Sequence, residues 1–302
     1  MGYLYLFTAV AFGVTKGYLG KKISNKTPTV RNSVVTSIIR MGFCILVGLL
    51  FVLYEGLTGG FGNLIPTGDV ALLALGEGAA TAVSVVCWLL AARCSAYMAI
   101  EAFLAMSVIV PISLSAILYG EPVSTSQMIG LVILLGSVIF MLVYSSQIKK
   151  NFGFKAVFYL AMTGISAGLM DFFMKAFNKV DATVGASSFS LYTYVFCAIV
   201  LFGMLFMFKK TEEDKLHGAL PDKKKTLIIA IMAICLFCNT FFNTLASGLL
   251  DAVLIYPLSK GTSMILSVLM STYLFKEKMK PALAAGIIMM FVGLVFINVI
   301  RF

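Results

Sequence analysis

Histidine is almost missing from this chain, and that closes off a good deal of chemistry. The one histidine, His217, lies in a charged run over 209–225, so nothing supports a histidine-based intramembrane catalyst or a zinc site. Charged side chains are scarce too, at 12% of 302 residues. The glycine-rich stretch 55–69 lacks the strand, lysine and helix context of a phosphate-binding loop, and ATP hydrolysis has no motif to carry it. The six cysteines all fall inside apolar runs or, for Cys94, at the edge of one. Cys235 and Cys238 have CxxC spacing, but no further Cys or His stands near them in sequence, so they read as small apolar packing residues. The sequence calls for no metal and no cofactor.

What the chain has is apolar surface. A hydrophobic fraction of 60% and a mean hydropathy of +1.00 lie outside the range of soluble domains. The expected class is an all-α integral membrane protein. A bilayer core of about 30 Å needs roughly 20 apolar residues per helix. Ten stretches meet that length: about 2–20, 33–54, 70–92, 96–119, 126–145, 155–177, 186–208, 226–247, 251–275 and 281–300. The first is read as a span and not as a removable signal peptide, because no basic stretch precedes it and no small-residue cleavage site follows it.

The ten stretches form a repeat. An offset of 156 residues pairs Glu121 with Glu277, Gly130 with Gly286, Ser115 with Ser271, Ser107 with Ser263 and Ala96 with Ala252. Gly13 falls on Gly168 at an offset of 155. Residues 1–148 and 149–302 are therefore expected to be two five-helix units. Five is odd, so the second copy enters the membrane in the opposite sense. The charges agree: the turn at 120–122 has no basic residue, while its counterpart at 276–280 has Lys276, Lys278 and Lys280. Connections after odd-numbered spans hold seventeen lysines and arginines; the other connections and the termini hold only Lys179 and Arg301. Basic residues mark the cytoplasmic side, so both termini are expected on the opposite side of the cell membrane. The excess of positive charge is a topology signal; nucleic acid is not implied. Inverted repeats let a central site open alternately to each side.

Candidate functional residues are the polar groups deep inside spans. In the third span Glu77, Thr81, Ser84 and Trp88 share one face. A carboxylate at the depth of Glu77 costs about 2.5–3.5 kcal/mol to insert, which makes it a functional candidate. The fourth span carries Glu101 and Pro111, and the repeat sets Glu101 on Pro257; such positions are candidates for a broken helix. In the sixth, Asp171 and Lys175 are spaced to pair with each other; alternatively Asp171 is a proton or cation site. The eighth aligns Asn239, Asn243 and Ser247, which either join helices or line a cavity. The ninth brings Tyr256 and Lys260, with Lys260 about 13 Å inside, too deep to snorkel easily. Lys16 in the first span reads equally as an interfacial anchor or a site residue. Glu121 and Glu277 read as turn residues.

With the inverted five-helix repeats, and Gly120-Glu121…Gly130 echoed by Phe275-Lys276-Glu277-Lys278…Gly286, the chain resembles the drug/metabolite transporter superfamily, in particular its EamA-like ten-helix carriers. The resemblance implies a secondary carrier, not an enzyme, with a small-molecule solute and the lipid bilayer as partners and protons as a candidate coupling ion. Substrate contacts are expected from Lys260, Glu77, Asn239, Asn243, Tyr256 and Trp88, and proton coupling from Glu77, Glu101 or Asp171. Lys260→Ala is expected to abolish transport without lowering folded yield. The competing readings are a lysine-assisted hydrolase using Ser259 or Ser263, and a non-transporting receptor or lipid scramblase.

Overall fold

The computed structural model describes residues 1–24, 29–59, 65–94, 97–144, 154–180, 184–207, 223–274 and 281–298. His217, Glu277, Arg301 and most of the loop lysines lie outside them. Every regular element among the described residues is a helix. In chain order these are α1 (Gly2–Ser24), α2 (Val30–Gly59), α3 (Gly68–Cys94), α4 (Tyr97–Met106), α5 (Ile109–Tyr119), α6 (Thr125–Tyr144), α7 (Phe154–Val180), α8 (Ala186–Met207), α9 (Lys223–Leu249), α10 (Ala252–Leu274) and α11 (Pro281–Asn298). A helix satisfies every backbone donor and acceptor within itself, which long apolar runs require where water is absent. Among the described residues, seven stretches are long and apolar enough to cross a membrane: α2, α3, the α4–α5 pair, α7, α8, α9 and α10. Parts of α6 and α11 are apolar but shorter; α1, with Lys16, Lys21 and Lys22, falls outside both groups. Large side chains such as Leu50, Tyr54, Phe206, Tyr273 and Phe291 are exposed on the outside of the bundle, an apolar coat suited to lipid.

Helix ends are built from local chemistry. α5 stops at Gly120, whose φ of 62° and ψ of 26° place it in the left-handed region that glycine tolerates. α6 begins with a reciprocal cap: the Ser124 amide donates to Gln127 Oε1, and the Gln127 amide donates to Ser124 Oγ. The fourth span is broken as expected, but at Ser107–Val108 and not at Glu101. The cause is Pro111, which has no amide to offer the Ser107 carbonyl; the Val110 amide takes that carbonyl instead. Pro257 stays inside an unbroken α10. The 55–69 stretch is less of a loop than its glycines imply, because α2 continues to Gly59.

Close packing relies on small residues. A Cβ added at Gly130 would lie 2.7 Å from the Gly293 carbonyl oxygen, and one at Gly293 would lie 2.9 Å from that of Gly130. α6 and α11 therefore pack backbone to backbone. Gly168 on α7 sits as tightly, with its Cβ position 2.7 Å from the Ser107 carbonyl at the break in the fourth span. The remaining large interfaces join α1 to α9, α3 to α7 and α8, and α2 to α8. They leave a partly open space between them.

Candidate functional site

That space is a partly open cavity with about 130 Å³ accessible to the centre of a water molecule. That is room for several waters or a small solute. α1 contributes Gly13, Lys16 and Gly17, small residues flanking a cation. α3 contributes Ser84 and Trp88, α4 contributes Glu101, and α7 contributes Met170, Asp171 and Met174. Asn239, Thr240 and Asn243 come from α9, and Ser259, Lys260 and Ser263 from α10. These are the six spans in which the sequence singles out interior polar residues. A seventh element joins them: α2 places Arg40 in the wall.

The charges inside are arranged in a definite way. Lys260 Nζ lies 2.8 Å from Asp171 Oδ2, an ion pair whose side chains are 18% and 6% exposed. Lys16 lies on the same wall as this pair, so it is a cavity residue and not an interfacial anchor. Glu101 is buried and faces the same space. Arg40 is 4% exposed, and neither its Nε nor its Nη2 has a hydrogen-bond partner among the described residues. Asn239 does both things its stripe allows, lining the cavity while its Nδ2 donates to the Ala9 carbonyl of α1 at 2.7 Å. Further along the stripe, Ser247 joins helices: its hydroxyl accepts from Asn178 Nδ2 at 2.9 Å.

Three residues are placed otherwise than their spacing suggests. Asp171 and Lys175 do not pair. Lys175 Nζ reaches the Ser247 and Leu250 carbonyls at the end of α9, at 3.1 and 2.7 Å, and lies 2.9 Å from Glu121 Oε1. The unpaired carbonyls of a helix C-terminus attract a cation, and here they draw Lys175 away from its own helix. Glu77 is fully buried but does not line the cavity. Thr193 on α8 donates to its Oε2 at 3.4 Å, and its Oε1 has no partner among the described residues. Glu77 and Trp88 share a face but lie eleven residues, about 16 Å, apart along the helix, and the cavity meets α3 only at Ser84, Val85 and Trp88. Tyr256 is likewise off the cavity wall; its hydroxyl donates to the Asp171 carbonyl and its ring packs with Leu6, Val108 and Ile112. It supports Asp171 from behind.

Arg40 escaped the sequence reading, although the signal was there. It stands deep inside the apolar run of the second span, the same feature that singles out Lys260. Glu121 proves more than a turn residue. Its Oε2 accepts the Ala252 amide at 2.9 Å, capping α10, while Oε1 pairs with Lys175 and, at 3.3 Å, with Lys179. Burial alone would raise the Glu121 carboxyl above the ordinary value, but the Ala252 amide and the two lysines outweigh it and hold it below.

The EamA-like transporter family model matches residues 154–299. No curated protein matches the sequence. Among solved structures, one described only as "Crystal structure of protein" superimposes with a TM-score of 0.70 at 15% identity, over 98% of this chain and 96% of that one. At that identity the likeness speaks to the fold alone.

Proposed function

We propose, on the footing that residues 154–299 belong to the EamA-like transporter family, that this protein is a secondary carrier of a small polar solute working by alternating access. One observation carries the reading: one cavity inside the bundle takes charged side chains from both halves of the chain. Lys16, Arg40 and Glu101 come from the first, Asp171 and Lys260 from the second. A site at the junction of two inverted repeats has this composition, because rocking one unit against the other exposes it to either side. Helix pairing supports the repeat. α1 packs on α9 as α7 packs on α3, and α6 with α11 and α2 with α8 pair each span with its own counterpart. With α4 and α5 taken as one interrupted span, the helices number ten, five in 1–148 and five in 149–302, with both termini on the non-cytoplasmic side.

The solute contacts in this reading are Lys260, Asn239, Asn243 and Trp88, with Ser84 and Ser263 as further hydrogen-bonding groups. Glu101 and Asp171 are the carboxylates placed to exchange a proton with the solute; Glu77, off the wall, is left out. The test is uptake into proteoliposomes from pooled radiolabelled amino acids, sugars, organic acids and nucleotides, with and without an imposed proton gradient. Saturable uptake above protein-free liposomes is expected. Its absence across the whole panel would overturn the carrier reading.

A further inference from the structure

Resting on the carrier reading, we infer that the solute bears an oxyanion, a carboxylate or phosphate monoester with net negative charge, and that Arg40 is its principal counter-ion. Among the described residues the cavity wall holds three cations, Lys16, Arg40 and Lys260, against two carboxylates, Glu101 and Asp171. Lys260 and Asp171 satisfy each other at 2.8 Å. What remains among these is Lys16 and Arg40 against Glu101, one positive charge in excess inside the bundle. A site of that sign recruits a solute of the opposite sign, because in low dielectric an uncompensated charge is costly to hold.

The state of Arg40 is the more specific observation. Guanidinium groups bind planar oxyanions side-on through a fork formed by Nε and one Nη. In Arg40 the Nε and Nη2 of that fork are the donors without a partner among the described residues, and the side chain is 96% shielded from solvent. Ser37, one turn earlier on α2, likewise holds a buried hydroxyl with no partner there. Buried donors are rarely left unmatched; Arg40 lines the polar cavity while its fork atoms are shielded from it in this state, and such a fork is accounted for by an acceptor that arrives with the solute. A local shift as the two halves rock, ending with the oxyanion between Arg40 and Lys16, would satisfy both. Ser84, Asn243 and Ser263 remain to hydrogen-bond the uncharged part of the solute.

The experiment compares matched solutes that differ in charge. Purified full-length protein is screened by thermal shift and by proteoliposome uptake with lactate against lactamide, succinate against succinamide, and glycerol phosphate against glycerol, with glycine and butylamine as zwitterionic and cationic controls. Stabilisation and uptake are expected for at least one anion and not for its neutral partner. Within the anions, the carboxylate and phosphate arms separate the two forms of oxyanion. Arg40→Gln is expected to weaken the anion's apparent affinity by about tenfold or more, the loss of a charge-assisted pair, with Arg40→Lys falling between. Binding or uptake confined to neutral, zwitterionic or cationic solutes would overturn the anion assignment while leaving the carrier intact. An unchanged anion affinity in folded Arg40→Gln would remove Arg40 from the site. No uptake of any solute, here or in the broader pooled panel, would overturn both readings. Should Arg40→Gln not fold, the charge selectivity of the unaltered protein decides the matter alone.

Discussion

Asp171 is gripped twice by α10: its carboxylate meets Lys260, and its backbone carbonyl accepts the Tyr256 hydroxyl. Both partners of the ion pair are largely buried, and this changes what Lys260→Ala should do. Removing the lysine strands a carboxylate in the interior, at a cost of about 3–5 kcal/mol, comparable to the whole stability of many domains. Folded yield is therefore expected to fall along with transport, contrary to what the sequence alone leads one to expect. Removing both charges relieves the penalty. In a double-mutant cycle of Lys260→Ala and Asp171→Ala, followed by melting temperature in detergent, the double variant should be more stable than the sum of the single losses. Additive losses would show that the two charges do not depend on each other.

Between elements, the same economy of few polar contacts fixes how helices meet. Glu121 ties the α5–α6 turn to α7 and to the start of α10 through one side chain. Its carboxyl is depressed below the ordinary 4.5 on folding. A group shifted this way stabilises the fold fully above its unfolded value and loses that contribution as pH falls through the lower folded value. The melting-temperature gap between the unaltered protein and Glu121→Gln should accordingly be widest near neutral pH and close as pH drops below about 4. A gap that stays constant with pH would mean that the charge on Glu121 is irrelevant. Apolar contacts give a sharper contrast. Gly130→Ala drives a Cβ to within 2.7 Å of the Gly293 carbonyl and should cost about 1–3 kcal/mol, as overpacking does. Gly136→Ala, on the same helix with nothing within 4 Å of the added atom, should be neutral or mildly stabilising. Equal effects at the two positions would dissolve the backbone-to-backbone packing of α6 and α11. The melting temperatures of the two variants decide it.

At the scale of the molecule, the helices were legible because a bilayer demands length and apolarity, and both can be counted along a chain. The cavity was legible in part for the same reason: a charge far inside an apolar run, as at Lys260, Glu101 and Asp171, has few places to go other than a shared polar space. Direction is harder to read. Helical periodicity puts Glu77 and Trp88 on one face, yet it does not say how far along that face the cavity extends. Spacing makes Asp171 and Lys175 neighbours, yet it cannot see the α9 carbonyls that claim the lysine. Arg40 was within reach of the same rule that found Lys260. The proposed inversion of the two halves rests on charge counts in connections mostly outside the described residues, and it can be tested directly. Pro122, exposed in the α5–α6 turn, and Met279, in the connection before α11, lie in turns that the proposed repeat makes equivalent. If the repeats are inverted, these turns face opposite sides of the membrane. With the unaltered protein as background, Pro122→Cys should react with a membrane-impermeant maleimide on intact cells, and Met279→Cys only after permeabilisation. The swapped pattern would preserve the inversion and reverse the orientation of the termini. Labelling of both from one side would put the two halves in parallel, and the site between them could no longer alternate by the rocking of inverted units.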